Sequence, residues 1–215
     1  FNIGNPQNIS MPTYNEASIV RVDPKSGTME NYAQGVRNSV GMAFHPVTKH
    51  LWFTDHGRDW LGTDMPSDEL NVAKTKGQHF GFPYCHQGDF LDPIYGKNRD
   101  CSQFTPPVDK LGAHIAPLGV KFYTGNMFPA EYKNVMFVAR KGSWNRTQRS
   151  GFDVVTVSLD ANGQNPTIKP FITGFKDDAT DAWWGRPTYF LQMPDGSLLL
   201  SDEQNGAIYR ISYAK

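Results

Sequence analysis

The sequence predicts an all-β protein of the β-propeller kind, and three observations carry that prediction. Twenty Gly and 15 Pro among 215 residues leave little room for helices. Aromatic residues make up 13% of the chain and sit in many short apolar runs, as strands require. A pattern also repeats. GMAFHPVTKHLWFTD (41–55) and TYFLQMPDGSLLLSD (188–202) each read as an apolar segment, a Pro-containing turn and a strand that ends in Thr/Ser-Asp.

The spacing of the repeat suggests its unit. Asp55 and Asp202 lie 147 residues apart, three units of 49. A second element, a strand followed by a Gly-containing or charged turn, occurs as SIVRVDPKSG (18–27), DELNVAKTKG (68–77), DVVTVSLDANG (153–163) and AIYRISY (207–213). Its starts are 50, 85 and 54 residues apart, and the long interval reads as one unit plus a Pro/Cys-rich insertion around 84–110. Periods of roughly 40–50 residues with several strands per unit mark propeller blades. One four-stranded blade cannot bury both of its faces alone, whereas blades stacked around an axis bury one another. A β-sandwich with accidental internal similarity is the alternative. The count gives about 3.5–4 blades over 1–215 as a single partial domain. The first blade reads as incomplete, because Phe1 enters in mid-strand without an initiator Met or a signal-peptide pattern. A processed terminus, missing upstream sequence and an oligomer that completes the ring all fit that start.

Composition narrows the partners. Lys+Arg and Asp+Glu both number 21, and no basic block stands out, so nucleic acid is a poor expectation. No apolar run is long enough to span a membrane. Cys85 and Cys101 share one Gly/Asp/Pro-rich loop. A disulfide there would close about 15 residues, would contribute roughly 3 kcal/mol, and would imply an oxidising, periplasmic or secreted setting. Two free thiols are the alternative.

Seven motifs then occur in a fixed order: GVRNSVGMAFHP from Gly35, LWFTDHGRDWLGTDMPSDELN from Leu51, KGQHFGFPYC, HIAPLGVKFYTGNMFPAEY, FVARKGSWNR, WGRPTYFLQMPDGSLLLSD and GAIYRISY. Together they resemble the soluble sugar dehydrogenases that depend on pyrroloquinoline quinone (PQQ), in particular the L-sorbosone dehydrogenase-like branch with its GSWNR segment, next to the aldose sugar dehydrogenases. The resemblance implies a six-bladed propeller in the full protein, of which this chain would be the C-terminal portion. It implies oxidation of an aldose or sugar aldehyde by hydride transfer to calcium-bound PQQ, with a sugar as substrate and a cytochrome or quinone as electron acceptor.

The same resemblance assigns residues. Arg37 and Asn38, just before an inner strand, would face the quinone, since a guanidinium suits planar carboxylates. Lys141 would stand near the quinone oxygens, where sorbosone-type members carry His, and Arg186 of WGRP would pair with a PQQ carboxylate. The carbonyls of Gly57 and Arg58 would ligate the active-site Ca2+; the family has Pro where this chain has Arg58, and a cation there fits only if it points away. Glu69, with a carbonyl near Phe80, would hold a structural Ca2+, in an acidic stretch with Asp64 and Asp68 that equally reads as a solvated turn. Trp183 and Trp184 read as site or packing residues, and Trp144 as core. His56, His79, His86 and His114 lack metal-type spacing, and His45 belongs to a turn. The family's general-base His is expected upstream of FNIGNPQNI, so the chain as it stands is expected to be inactive. A non-catalytic propeller and a calcium-dependent lactonase-type propeller stay open as other readings.

Overall fold

The computed structural model describes residues 1–5, 7–160 and 163–214. Four sheets follow one another along the chain. The first joins Asn2–Ile3, Ser18–Val22 and Met29–Gln34 in antiparallel order, with the short strand Gln78–His79 added parallel to its outer edge. The second runs Met42–Phe44, Leu51–Asp55, Ser67–Ala73 and Asp109–Ala113. The third runs Pro117–Phe122, Met136–Arg140, Asp153–Ser158 and Thr167–Ile172. The fourth has three strands, Pro187–Gln192, Leu198–Asp202 and Ala207–Ile211.

Burial explains why these strands lack the alternation of a two-faced sheet. Every residue of Leu51–Asp55 and of Ser67–Ala73 is buried, because both faces of the sheet are covered. Three apolar clusters do the covering. Ile19, Phe53 and Phe80 lie between the first and second sheets. Trp52, Leu70, Val120 and Val155 fill the space between the second and third, and Phe137, Phe190 and Leu200 that between the third and fourth. Each such side chain contributes about 1.5–3 kcal/mol on burial.

The first strands of the last three sheets come together, with Pro117–Phe122 packing against both Met42–Phe44 and Pro187–Gln192. Glycine permits that approach. A Cβ on Gly41 would lie 1.8 Å from the Leu118 carbonyl oxygen, and one on Gly119 would lie 2.6 Å from that of Thr188.

The structure revises the repeat count. Asp55 and Asp202 both end the second strand of their sheets, but those sheets are two apart, not three. The extra length comes from the 84–110 insertion and from the long 123–135 connection of the third sheet. The second repeated element holds: it supplies the strands Ser18–Val22, Ser67–Ala73, Asp153–Ser158 and Ala207–Ile211. Its turn at 161–162 lies outside the described residues. The insertion carries the Cys85–Cys101 disulfide and the small hairpin Cys85–His86/Phe90–Leu91. Tyr84 stacks on Phe104 there, and Arg99 lies over the Tyr84 ring. Among the described residues no helix is long and apolar enough to cross a membrane.

Candidate active site

The loop before the second sheet is held by the strand that follows it. Asp55 Oδ2 accepts from the Arg37 backbone N–H at 2.8 Å, and Oδ1 from that of Asn38 at 2.6 Å. This fixes Arg37 and Asn38 at the wall of a cavity of about 160 Å³, which His56, Asp59, His114 and Trp144 also line. The Arg37 guanidinium is engaged on all sides. It donates to the Asn8 carbonyl (3.0 Å), the Asn8 side chain (3.1 Å) and the carbonyls of His56 and Gly57 (3.3 and 2.9 Å). Asp59 stands 3.7 Å from it. Arg37 therefore builds the wall rather than offering free donors to a ligand.

His56 is neutral. Burial, followed by the charges of Arg37 and Lys141, pulls its pKa down to about 4. Its Nε2 bonds the Pro117 carbonyl at 3.2 Å, so Nδ1 is left to accept from Asn38 Nδ2 at 3.2 Å.

Arg58 points away from the cavity. Its guanidinium reaches Asp92 of the insertion at 2.6 Å, and His86 Nε2 meets the same carboxylate oxygen at 2.9 Å. Asp92 also accepts from the backbone N–H groups of Ile94 and Tyr95. Burial alone would raise its pKa, but the bonds from His86, Tyr95, Arg58 and Ile94 carry it down to about 2. The cation at this position is thus neutralised inside the disulfide-bonded insertion. The Gly57 carbonyl faces the cavity side, where Arg37 already donates to it.

Lys141 and Arg186 converge on one carboxylate, 2.7 and 3.7 Å from Glu203 Oε1. Arg186 is positioned like Arg37: Asp202 Oδ1 accepts from its backbone N–H at 2.9 Å, and its guanidinium donates to the Gly142 carbonyl at 2.9 Å. The Lys141 backbone N–H bonds Ala116, itself on the cavity wall, at 3.0 Å. Lys141 thereby links the Glu203 group to the Arg37 cavity.

Asp68 and Glu69 do not form a solvated turn. Both are buried in strand Ser67–Ala73, while Asp64 is exposed and paired with Arg146. Asp68 accepts from Gly57 and Ala116 backbone N–H groups at 2.8 and 2.9 Å, and burial pushes its pKa up to about 7. Burial, then repulsion from Asp55, raises Glu69. Glu69 accepts from the Gln87 N–H and from Asn71 Nδ2, and Asn71 Oδ1 is buried with no hydrogen-bond partner among the described residues. The Phe80 ring packs 5.0 Å from Phe53, the register partner of Asn71.

Sequence reasoning missed one part of the site and misplaced another. Trp144 is not core: it is 63% exposed, and its ring meets that of Trp60, 72% exposed, edge-on at 5.5 Å. Asn145 Nδ2 donates to Asp59 at 2.6 Å, and Asn8 bonds both the N–H and the carbonyl of Asp59, at 2.6 and 2.8 Å. A polar, partly exposed Asn gives no pattern that would mark it as a brace. Trp183 and Trp184 do not line the Arg37 cavity but stand beside Arg186: Arg149 stacks over Trp183 at 4.2 Å, and Trp183 meets Phe152, over whose ring Arg186 lies. Three further histidines have ordinary partners: His45 accepts from the Val47 and Thr48 N–H groups, His79 from that of Gly81, and His114 bonds the Gly62 carbonyl.

The family profile described as Glucose / Sorbosone dehydrogenase matches residues 14–164. The chain belongs to this family. An uncharacterized protein of Borreliella burgdorferi is 40% identical over 219 aligned residues, which cover 100% of this chain and 57% of that one. Aldose sugar dehydrogenase YliI of Escherichia coli is 27% identical, over 85% of this chain and 44% of its own. The chain thus spans about half the length of the curated relatives it matches. The holo PQQ domain of pyranose dehydrogenase from Coprinopsis cinerea superposes with a TM-score of 0.79 at 22% identity, over 99% of this chain and 66% of that chain. The apo soluble aldose sugar dehydrogenase of E. coli superposes with a TM-score of 0.65 at 20% identity, over 93% and 55%. These structures share the family's fold, and the sheets described above match theirs.

Proposed function

We propose that this protein oxidises an aldose or sugar aldehyde by hydride transfer to calcium-bound PQQ, and that its four sheets are blades of one six-bladed propeller domain. The observation that carries the reading is the Lys141–Arg186 pair. Two cations share a single carboxylate, Glu203, whose side chain is 41% exposed, and their bonds link them to the cavity of Arg37 and Asn38. The pair also ties loops together through the Gly142 carbonyl, but two cations on one part-exposed carboxylate suit a planar tricarboxylate that could take its place. The lactonase-type reading would need a ring of acidic and amide side chains at the mouth; Asn38, Asp59, Asp68 and Asn145 do line the cavity, and the Lys141–Arg186 pair beside it is what favours the PQQ reading.

The residues fit the two groups in different ways. PQQ, when bound, supplies the two-electron acceptor. Lys141 and Arg186 would meet its carboxylates and quinone oxygens, displacing Glu203. Asn38 would offer its amide, held in place by neutral His56. Arg37 would shape the wall, since its donors are already engaged. The Gly57 and Arg58 carbonyls would ligate the active-site Ca2+, which requires Arg37 to give up its bond to Gly57. The Arg58 guanidinium imposes no penalty there, because Asp92 holds it away. Glu69 with the Phe80 carbonyl would hold a structural Ca2+. The unpartnered Asn71 Oδ1 beside Glu69 adds a hard oxygen donor to that site.

No residue of this chain is assigned the role of general base; His45 and His56 are committed to a turn and to Asn38 and Pro117. A sugar is the proposed substrate, a cytochrome or quinone the proposed electron acceptor, and the Cys85–Cys101 disulfide supports a periplasmic or secreted setting. Calcium-dependent PQQ binding, weakened in K141A and R186A, tests the proposal.

A further inference from the structure

We infer that Trp144 is a stacking platform for a neutral pyranose ring, buttressed by Trp60 and set in place by the Asp59–Asn145 bond. The inference rests on the sugar-oxidising function proposed above and adds the substrate subsite to it.

Two indoles exposed side by side at the mouth of a cavity are unlike the scattered single hydrophobes of an ordinary surface. Their planes meet at 81°, so the edge contact leaves an open face on each ring. Trp144 lines the cavity; behind it stand Asn38, Asp59, His114 and Asn145. A flat apolar face beside amides, a carboxylate and an imidazole complements a pyranose, which carries C–H groups on one face and hydroxyls around its edge. At the Trp144 corner the polar neighbours are Asp59 and Asn145, joined to each other, and they suit hydroxyls better than a carboxylate.

The platform is built rather than incidental. Asp59 and Asn145, joined at 2.6 Å, are each the chain neighbour of one tryptophan. Arg146 adds a second staple from the same loop, donating to the Thr63 carbonyl at 2.8 Å. Asn8 clamps the Asp59 backbone from both sides. Trp60 itself is held at φ 68°, a conformation that bulky residues rarely adopt and that persists only where the surroundings impose it.

The test uses the protein loaded with PQQ and calcium, with methyl β-glucopyranoside, whose C1 hydroxyl is blocked, as a non-reacting probe. Both tryptophans are exposed, so W144L, W144F and W60L should keep the wild-type melting temperature. W144L is expected to raise the sugar KM about tenfold with kcat and PQQ affinity unchanged, and W144F to restore most of the loss. Saturable quenching of tryptophan fluorescence by the probe should vanish in W144L. An active enzyme in which W144L leaves both KM and probe affinity within twofold of wild type overturns the inference. If the wild type binds no PQQ, the oxidation reading fails on its own; if it binds PQQ without turnover, since no residue of this chain is assigned as general base, the KM comparison falls away. The fluorescence titration then decides the platform alone: Trp144-dependent quenching supports it, and no quenching overturns it.

Discussion

Asp202 holds the Arg186 backbone N–H at 2.9 Å just as Asp55 holds that of Arg37 at 2.8 Å, two sheets away. Each aspartate ends a second strand, and each arginine precedes a first strand. The third sheet departs from the rule. It ends its second strand in Arg140, which pairs with Asp153, and its first strand is capped instead by Asp68 of the neighbouring sheet. The arginine loops are therefore positioned by backbone bonds from their own sheets. D55A and D202A should each destabilise the protein by about 1–3 kcal/mol in urea titrations, through unsatisfied amides. Each should also weaken PQQ binding without removing any ligand group.

Lys141 and Arg186 give the most direct mutational test of the cofactor site. Each charge-assisted bond contributes about 1.5–3 kcal/mol, so K141A or R186A should weaken PQQ binding by roughly tenfold to a hundredfold. E203Q should tighten it, because the competing carboxylate charge is gone. Absorbance titration of PQQ reads all three.

The Arg58–Asp92 pair should contribute to acid stability below about pH 4, after buried His56 has already begun to charge. Asp92 has a folded pKa of about 2 against an ordinary 3.8, so its stabilisation is complete above about pH 4 and is lost as pH falls toward 2. The linked free energy is about 2 kcal/mol. D92N should lack this part of the pH slope. It should also be less stable at neutral pH by about 3–5 kcal/mol, because Arg58 is left buried and unpaired. Denaturant melts from pH 2 to 7 on both proteins check this.

The structural calcium should be visible without any enzyme assay. Chelation should lower the melting temperature of wild type. In E69Q or N71A the chelation effect should shrink or disappear, because each variant alters one oxygen donor of the proposed site. An equal shift in wild type and E69Q would remove Glu69 from the site.

The disulfide closes a loop with a sequence separation of 16 in a segment whose buried contacts are largely polar. Reduction, or the C85S/C101S pair, should cost about 3 kcal/mol. Because Asp92 lies inside that loop, the loss should extend to the Arg58 contact, read as increased hydrogen exchange over residues 56–62.

The strands and the arginine loops were legible because they rest on local patterns: the LWFTD and LLLSD strands, the RN and GRP turns, and the two cysteines. The unit count was not, since insertions of unequal length break the period without changing the sheets. The burial of Asp68 and Glu69 was hidden for a physical reason. Acidic residues in a strand covered on both faces look, in one dimension, like a polar turn, and only the facing amides of Gly57, Gln87 and Ala116 explain them. Trp144 misled in the opposite direction, because a large aromatic is core by default and only its neighbours Asp59 and Asn145 keep it at the surface. The Arg58 side chain found its partner 34 residues on, in an insertion that sequence patterning treated as filler.

The central claim is that this chain's residues form a PQQ site, and a PQQ titration with and without calcium, followed by absorbance, tests it most directly. The account predicts saturable, calcium-dependent binding that weakens at least tenfold in both K141A and R186A. Absence of saturation in wild type, or equal binding in wild type and both variants, would contradict it.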